Sequence, residues 1–147
     1  MLKNYKPIKL MAGDAEDLGI VSAYLQDGVI KLGDFGYLAE KRRFAFVANR
    51  FVWEAAGKRQ IGPFHRVRCG VHFDDISDVK FQYLKTDAKD AIVELLSIDA
   101  KADGETWHIE LNFAGGGAIR LHADCINLFI SDLSEPWRTR SRPQHKD

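Results

Sequence analysis

The second half of this chain restates the first. Asp27-Gly28-Val29-Ile30-Lys31-Leu32 is echoed by Asp90-Ala91-Ile92-Val93-Glu94-Leu95, and His72-Phe73-Asp74-Asp75-Ile76-Ser77 by His122-Ala123-Asp124-Cys125-Ile126-Asn127. Between these anchors each half carries an aromatic-rich run ending in Phe, Arg43 to Phe51 in one and Thr106 to Phe113 in the other. A repeat of this size normally marks one supersecondary unit used twice. Two copies are too few for a solenoid. The repeat, over residues 27–79 and 90–130, therefore predicts a single domain, 1–137, with internal pseudo-symmetry. A chain of 147 residues suits that reading, because at this length one core buries roughly 70% of the unfolded surface without metal or disulfides.

Lys+Arg and Asp+Glu balance at 21 each, so no overall field draws the protein to nucleic acid or membrane. Residues 138–147 are the exception. Arg138, Arg140, Arg142 and Lys146 lie there among Ser, Thr, Pro and Gln, and a mobile basic tail is expected. Cys69 and Cys125 each sit among apolar residues in strand-like runs and read as small core hydrophobes. Two isolated thiols do not make a disulfide framework. The first residues lack the apolar stretch of a signal peptide, and no run approaches a membrane span. A cytoplasmic protein with no membrane partner is expected.

Asp14 opens the best helix candidate, predicted to run to about Gln26. It can cap the first turn, with Glu16 and Asp17 favourable against the helix dipole, and Leu18, Val21 and Leu25 form one apolar stripe. Nearly everything after it alternates. Val29 to Leu32, Phe35 to Ala39 and Arg43 to Phe51 read as strands divided by turn-like residues. Val67, Cys69, Val71 and Phe73 form one face of a further strand, and Val79, Phe81 and Tyr83 continue the habit.

The last hairpin can be read in register. Trp107, Ile109, Leu111 and Phe113 share a face, as do Ile119, Leu121, Ala123 and Cys125. A loop of Gly115, Gly116 and Gly117 pairs Phe113 with Ile119 and Leu111 with Leu121, with glycine at the left-handed position. After Cys125 the apolar phase switches to Ile126, Leu128 and Ile130, which predicts a β-bulge. This register sets Glu110 opposite His122 and His108 opposite Asp124. Two imidazoles and two carboxylates on adjacent strands could hold zinc, or iron with open positions. They could equally be cross-strand charge pairs on a solvated face. By the repeat, His72 would face Ala48, so the cluster is not duplicated.

The glycine triplet is explained by the hairpin, because a phosphate loop would open a helix and a strand follows here. Ser22, Ser77, Ser97 and Ser131 lack a nucleophile-elbow setting, and His65 at a loop-to-strand junction stands alone. Arg50, Phe51, Trp53 and Glu54 beside the loop 51–64 have the composition of a binding hot spot. The same residues could instead close one end of the core.

Several runs carry a resemblance: Leu25-Gln26-Asp27, Arg42-Arg43-Phe44, Asn49-Arg50-Phe51-Val52-Trp53-Glu54, Phe113-Ala114-Gly115-Gly116-Gly117-Ala118-Ile119-Arg120-Leu121 and Asp132-Leu133-Ser134-Glu135-Pro136-Trp137. In this order, over nearly the whole chain, they resemble a bacterial domain-of-unknown-function family, number 2948. The resemblance implies a small bacterial cytoplasmic protein and no activity, cofactor or catalytic residue.

The expected fold is α+β and mainly antiparallel β: one N-terminal helix packed on two related β-meanders that form a sheet or partly open barrel. The alternative is a pleckstrin-homology-like barrel, which normally ends in a helix. The leading functional expectation is a non-enzymatic binding or protein-interaction module, anchored at Arg50, Phe51 and Trp53, with an unidentified protein partner or a second copy. A metal-binding or metal-dependent protein using His108, Glu110, His122 and Asp124 is the second reading. The third is contact with RNA or single-stranded DNA through Lys41, Arg42, Arg43, Lys58, Arg59 and the tail.

Overall fold

The structure, a computed structural model, describes residue 2 and residues 5–143. Lys146 of the expected tail lies outside the described residues. Strand β1 (Lys9–Ala12) leads into helix α1 (Ala15–Leu25). Strands β2 (Val29–Lys31), β3 (Gly36–Leu38) and β4 (Arg43–Phe51) follow, divided by short 3-10 turns, and then a single helical turn, α2 (Trp53–Ala56). The remaining strands are β5 (Phe64–Phe73), β6 (Ile76–Gln82), β7 (Ile92–Asp103), β8 (Thr106–Phe113), β9 (Ala118–Ala123), β10 (Leu128–Asp132) and β11 (Trp137–Thr139).

The helix forms where its cap and stripe predict. The Asp14 carboxylate accepts from the Asp17 N–H at 2.7 Å, and Leu18, Val21 and Leu25 are buried against β7, β1 and β4. Asp14→Ala is expected to lower unfolding stability by about 1 kcal/mol. An unchanged urea midpoint would remove the cap from this account.

All the strands join one antiparallel sheet in the order β1-β10-β5-β4-β2-β7-β8-β9-β6, with β11 beside β5 and β3 beside β4. The path has two ends, so the sheet is not closed. Outward from the central β2–β7 pair, the order runs β4, β5, β10 one way and β8, β9, β6 the other. One apolar cluster draws on α1 and on strands from β1 to β10. Within it, the Phe35 ring packs on Phe44, Phe46, Phe81 and Phe113, joining residues from both halves of the chain. The last element among the described residues is a strand, Trp137–Thr139, so a barrel ending in a helix does not fit.

Several local expectations are corrected. The last hairpin closes one residue earlier than predicted: Phe113 donates to the Gly117 carbonyl, leaving Ala114, Gly115 and Gly116 as the loop. Gly115 and Gly116 take the positive φ values, +90° and +98°, whereas Gly117 packs closely under Leu84. Every cross-strand pair moves by two residues, so Leu111 faces Ile119 and Ile109 faces Leu121. Second, residues 124–127 are not a bulge. They form a corner carrying the chain from β9, paired with β8 and β6, to β10, paired with β5 and β1. Cys125 sits on that corner and is exposed, whereas Cys69 is buried. Third, the expected tail is partly built in: Trp137–Thr139 pairs with β5, and Arg142 donates to the carbonyls of Gly57 and Arg59. His72 faces Ala45, not Ala48.

Candidate functional site

The expected hot spot turns inward. Alternation along β4 puts Phe44, Phe46, Ala48 and Arg50 on the core face, so Arg50 enters the interior with its strand. Its guanidinium is 0% exposed. It grips Asp132 through Nε and Nη2 at 2.9 and 2.8 Å, and Glu54 through Nη1 and Nη2 at 2.9 Å each. Asp132 also accepts from the Tyr5 hydroxyl at 2.6 Å and the Ile8 N–H at 3.0 Å. Burial alone would raise the Asp132 carboxyl. The hydrogen bonds from Arg50, Ile8 and Tyr5 outweigh it and hold the group below the usual carboxylate range. Phe51 is buried against Trp53 and Phe64. Trp53 donates through Nε1 to the Gln26 carbonyl at 2.8 Å, and Arg142 lies over its ring. Arg50 thus lies on the core face of β4, Phe51 lies on the opposite face in a separate small cluster with Ala56 and Phe64, and neither presents surface to a partner. The signal was legible, because the β4 alternation alone puts residue 50 in phase with Phe44 and Phe46.

The expected metal ligands divide. In the corrected register His108 faces His122, with ring centroids 5.0 Å apart, and Glu110 faces Arg120. Glu110 accepts from Arg120 at 3.0 Å. Asp124, on the corner, pairs with Arg42 at 2.7 Å, and that guanidinium holds its carboxyl below the usual range. The carboxylate that does reach the imidazoles is Asp103, the last residue of β7. The tight turn at Gly104-Glu105 pairs Asp103 with Thr106, with Gly104 at φ +62°, and sets Asp103 beside the end of His108. Asp103 Oδ2 lies 2.9 Å from His108 Nε2. One donor atom from each of Asp103, His108 and His122 falls within 4.8 Å of the other two. A pocket of about 360 Å³ opens alongside, lined by Asp99, Lys101, His108, Glu110 and Arg120.

The basic residues proposed for nucleic acid are largely engaged within the chain. Arg42 and Arg43 pair with Asp124 and Asp74. Arg59 donates to the carbonyls of Ala55, Ala56 and Pro63. Burial, with Arg138 and Arg59 close by, lowers the His65 pKa. The buried Cys69 thiol is pushed up to about 12 by burial, which suits a packing role and not a nucleophile.

A surface the sequence did not announce lies on the outer face of β3, β4, β5 and β10. It is a shallow, mainly apolar groove of about 690 Å³. Ala45, Val47 and Gly70 form its floor, and Leu38 and Leu133, 51% and 59% exposed, stand at its sides. A Cβ on Gly70 would come within 3.2 Å of Leu133 Cδ1, so glycine there lets the leucine lie close to the sheet.

These features define an open, mainly antiparallel β fold of the α+β class, with one helix and a second short one. Residues 8–145 match the sequence model of a family described as Protein of unknown function (DUF2948), and the chain belongs to that family. No curated protein and no solved structure matches it. Among the described residues no helix is long and apolar enough to cross a membrane.

Proposed function

We propose that this protein is a small non-enzymatic interaction module. Its binding surface is the groove across β3, β4, β5 and β10, filled by an apolar side chain from an extended segment of a protein partner. The carrying observation is the floor of Ala45, Val47 and Gly70 between two exposed leucines. Soluble domains seldom leave a contiguous apolar depression open without a partner for it. Balanced charge, with 21 cationic and 21 anionic residues, favours a protein partner over a polyanion. The earlier anchor at the 51–64 loop loses ground because Arg50 and Phe51 are both 0% exposed.

The test is a photo-crosslinking residue at position 45, read in cells. A discrete adduct is expected, and Leu133→Asp should abolish it while changing stability by no more than about 0.5 kcal/mol. An adduct at twice the chain mass would identify the partner as a second copy. An adduct lost in Trp53→Ala but kept in Leu133→Asp would return the site to the 51–64 loop. No adduct at position 45, with efficient labelling at exposed position 87, would overturn the interaction reading.

We infer further that the two halves derive from one duplicated unit. The strand order supports this by running alike in both directions from the β2–β7 pair. The aligned residues Ile30 and Val93 also face each other across that pair. Residues 72–77 and 122–127, aligned in sequence, each turn the chain from one strand to a distant one, β5 to β6 and β9 to β10. A bacterial, cytoplasmic setting accords with the family resemblance and with two free thiols.

A further inference from the structure

We propose that Asp103, His108 and His122 form a binding site for a divalent first-row transition-metal ion, with zinc as the test ion. The site lies on the outer face of β7, β8 and β9, apart from the groove. Its donor set, two imidazoles and one carboxylate, belongs to the borderline nitrogen and oxygen ligands that such ions select, and one or more positions stay open to water.

The geometry is close to closure. Around a tetrahedral zinc, donors at their usual bond lengths stand about 3.3 Å apart. His108 Nε2 and Asp103 Oδ2 are already 2.9 Å apart, and the three donors all lie within 4.8 Å. Small rotations of side chains that are partly exposed would bring them onto one ion.

The supporting shell is present for His122. Ser77 Oγ lies 3.0 Å from His122 Nδ1 and 3.2 Å from the His122 carbonyl. A serine that donates to the carbonyl must accept from Nδ1–H, which leaves the Nε2 lone pair for the metal. The opposite proton arrangement, with Nε2–H donated to Thr106 Oγ1 at 3.1 Å, is the metal-free alternative. Fixing the tautomer through the far nitrogen is the standard support for an imidazole ligand. Thr106 in turn donates to the Asp103 carbonyl at 2.9 Å, tying the turn to the site. For His108 no such outer partner is present among the described residues: its Nδ1 is shielded from solvent and makes no hydrogen bond, so the ring meets the ion through Nε2, the nitrogen that faces Asp103. Lys101 faces His108 from β7 and opposes the ion's charge, but it is exposed and free to turn outward.

Glu110 and Asp124 are excluded by this proposal, because each is held by an arginine. That exclusion makes the test specific. Untagged protein, stripped with chelator, is titrated with zinc chloride by calorimetry while the imidazole ¹⁵N resonances are followed. One zinc per chain is expected, with shifts confined to the rings of His108 and His122. His108→Ala, His122→Ala and Asp103→Asn should each weaken binding about tenfold or more, and Ser77→Ala roughly tenfold. Glu110→Gln and Asp124→Asn should leave it unchanged. Absence of saturable binding up to about millimolar zinc, or binding that survives loss of both histidines, overturns the site. Should the alanine variants fail to fold, the wild-type resonances decide: unshifted His108 and His122 rings under saturating zinc also overturn it.

Discussion

Arg50→Ala is expected to lower unfolding stability by about 3–5 kcal/mol, the usual cost of stranding a buried partner charge. The guanidinium and the Asp132 carboxylate are both 0% exposed, so removing the cation leaves Asp132 with only the Tyr5 hydroxyl and the Ile8 N–H. The same change releases Glu54 from two 2.9 Å hydrogen bonds and the Tyr24 ring from the cation above it. The network joins β4, α2, β10 and the segment before β1, so its loss should loosen all four. Removing Arg50 and Asp132 together should cost less than the sum of the single changes, because no buried charge is then left unpaired. A urea midpoint for Arg50→Ala within about 0.5 kcal/mol of wild type would sink this account.

The same network predicts a pH dependence. The folded-state pKa of Asp132 lies below its unfolded value. Its contribution is therefore fully present above the ordinary carboxylate range near 4 and is lost as pH falls through that range and below. In Arg50→Ala this acid-linked loss should shrink, because the shift loses its main source. An equal fall in stability from pH 6 to pH 3 in both proteins would count against the assignment.

Phe44→Ala should cost about 3–5 kcal/mol, through lost transfer energy and the cavity left behind. Phe44 is 0% exposed and stacks on Phe35 at 5.8 Å. Phe35 in turn touches Phe113 from the other half of the chain. The cost should therefore fall on the whole molecule. Tryptophan fluorescence and far-ultraviolet circular dichroism should report one coincident transition, shifted equally in the mutant. Two separated transitions would show two independently stable units, against one core drawing on both halves.

Much of the fold was legible because it rests on local periodicity. Asp14 and the Leu18-Val21-Leu25 stripe located α1, and the run Arg43 to Phe51 coincides with β4. The apolar faces of β8 and β9 were read correctly even though their register was not. A shift of two residues returns every side chain to its own face, so apolar alternation rejects a one-residue slip and is blind to a two-residue one. The turn decided between them, through Gly115 and Gly116 and the Phe113 bond to Gly117. The candidate metal ligands moved with it, from Glu110 and Asp124 to Asp103.

By itself the sequence determined the fold class, the helix with its cap, most strand positions and the inward faces of β5, β8 and β9. All of these follow from the spacing of apolar residues and the chemistry of caps and turns. Tertiary structure alone decided the order of strands in the sheet, the corner at residues 124–127, the docking of Trp137–Thr139 on β5 and the burial of Asp132 against Arg50. Those features depend on pairings between residues far apart in the chain, such as Arg50 with Asp132. Whether a charged group ends in water or against its counter-ion is set by what lands opposite it, and no local pattern carries that information.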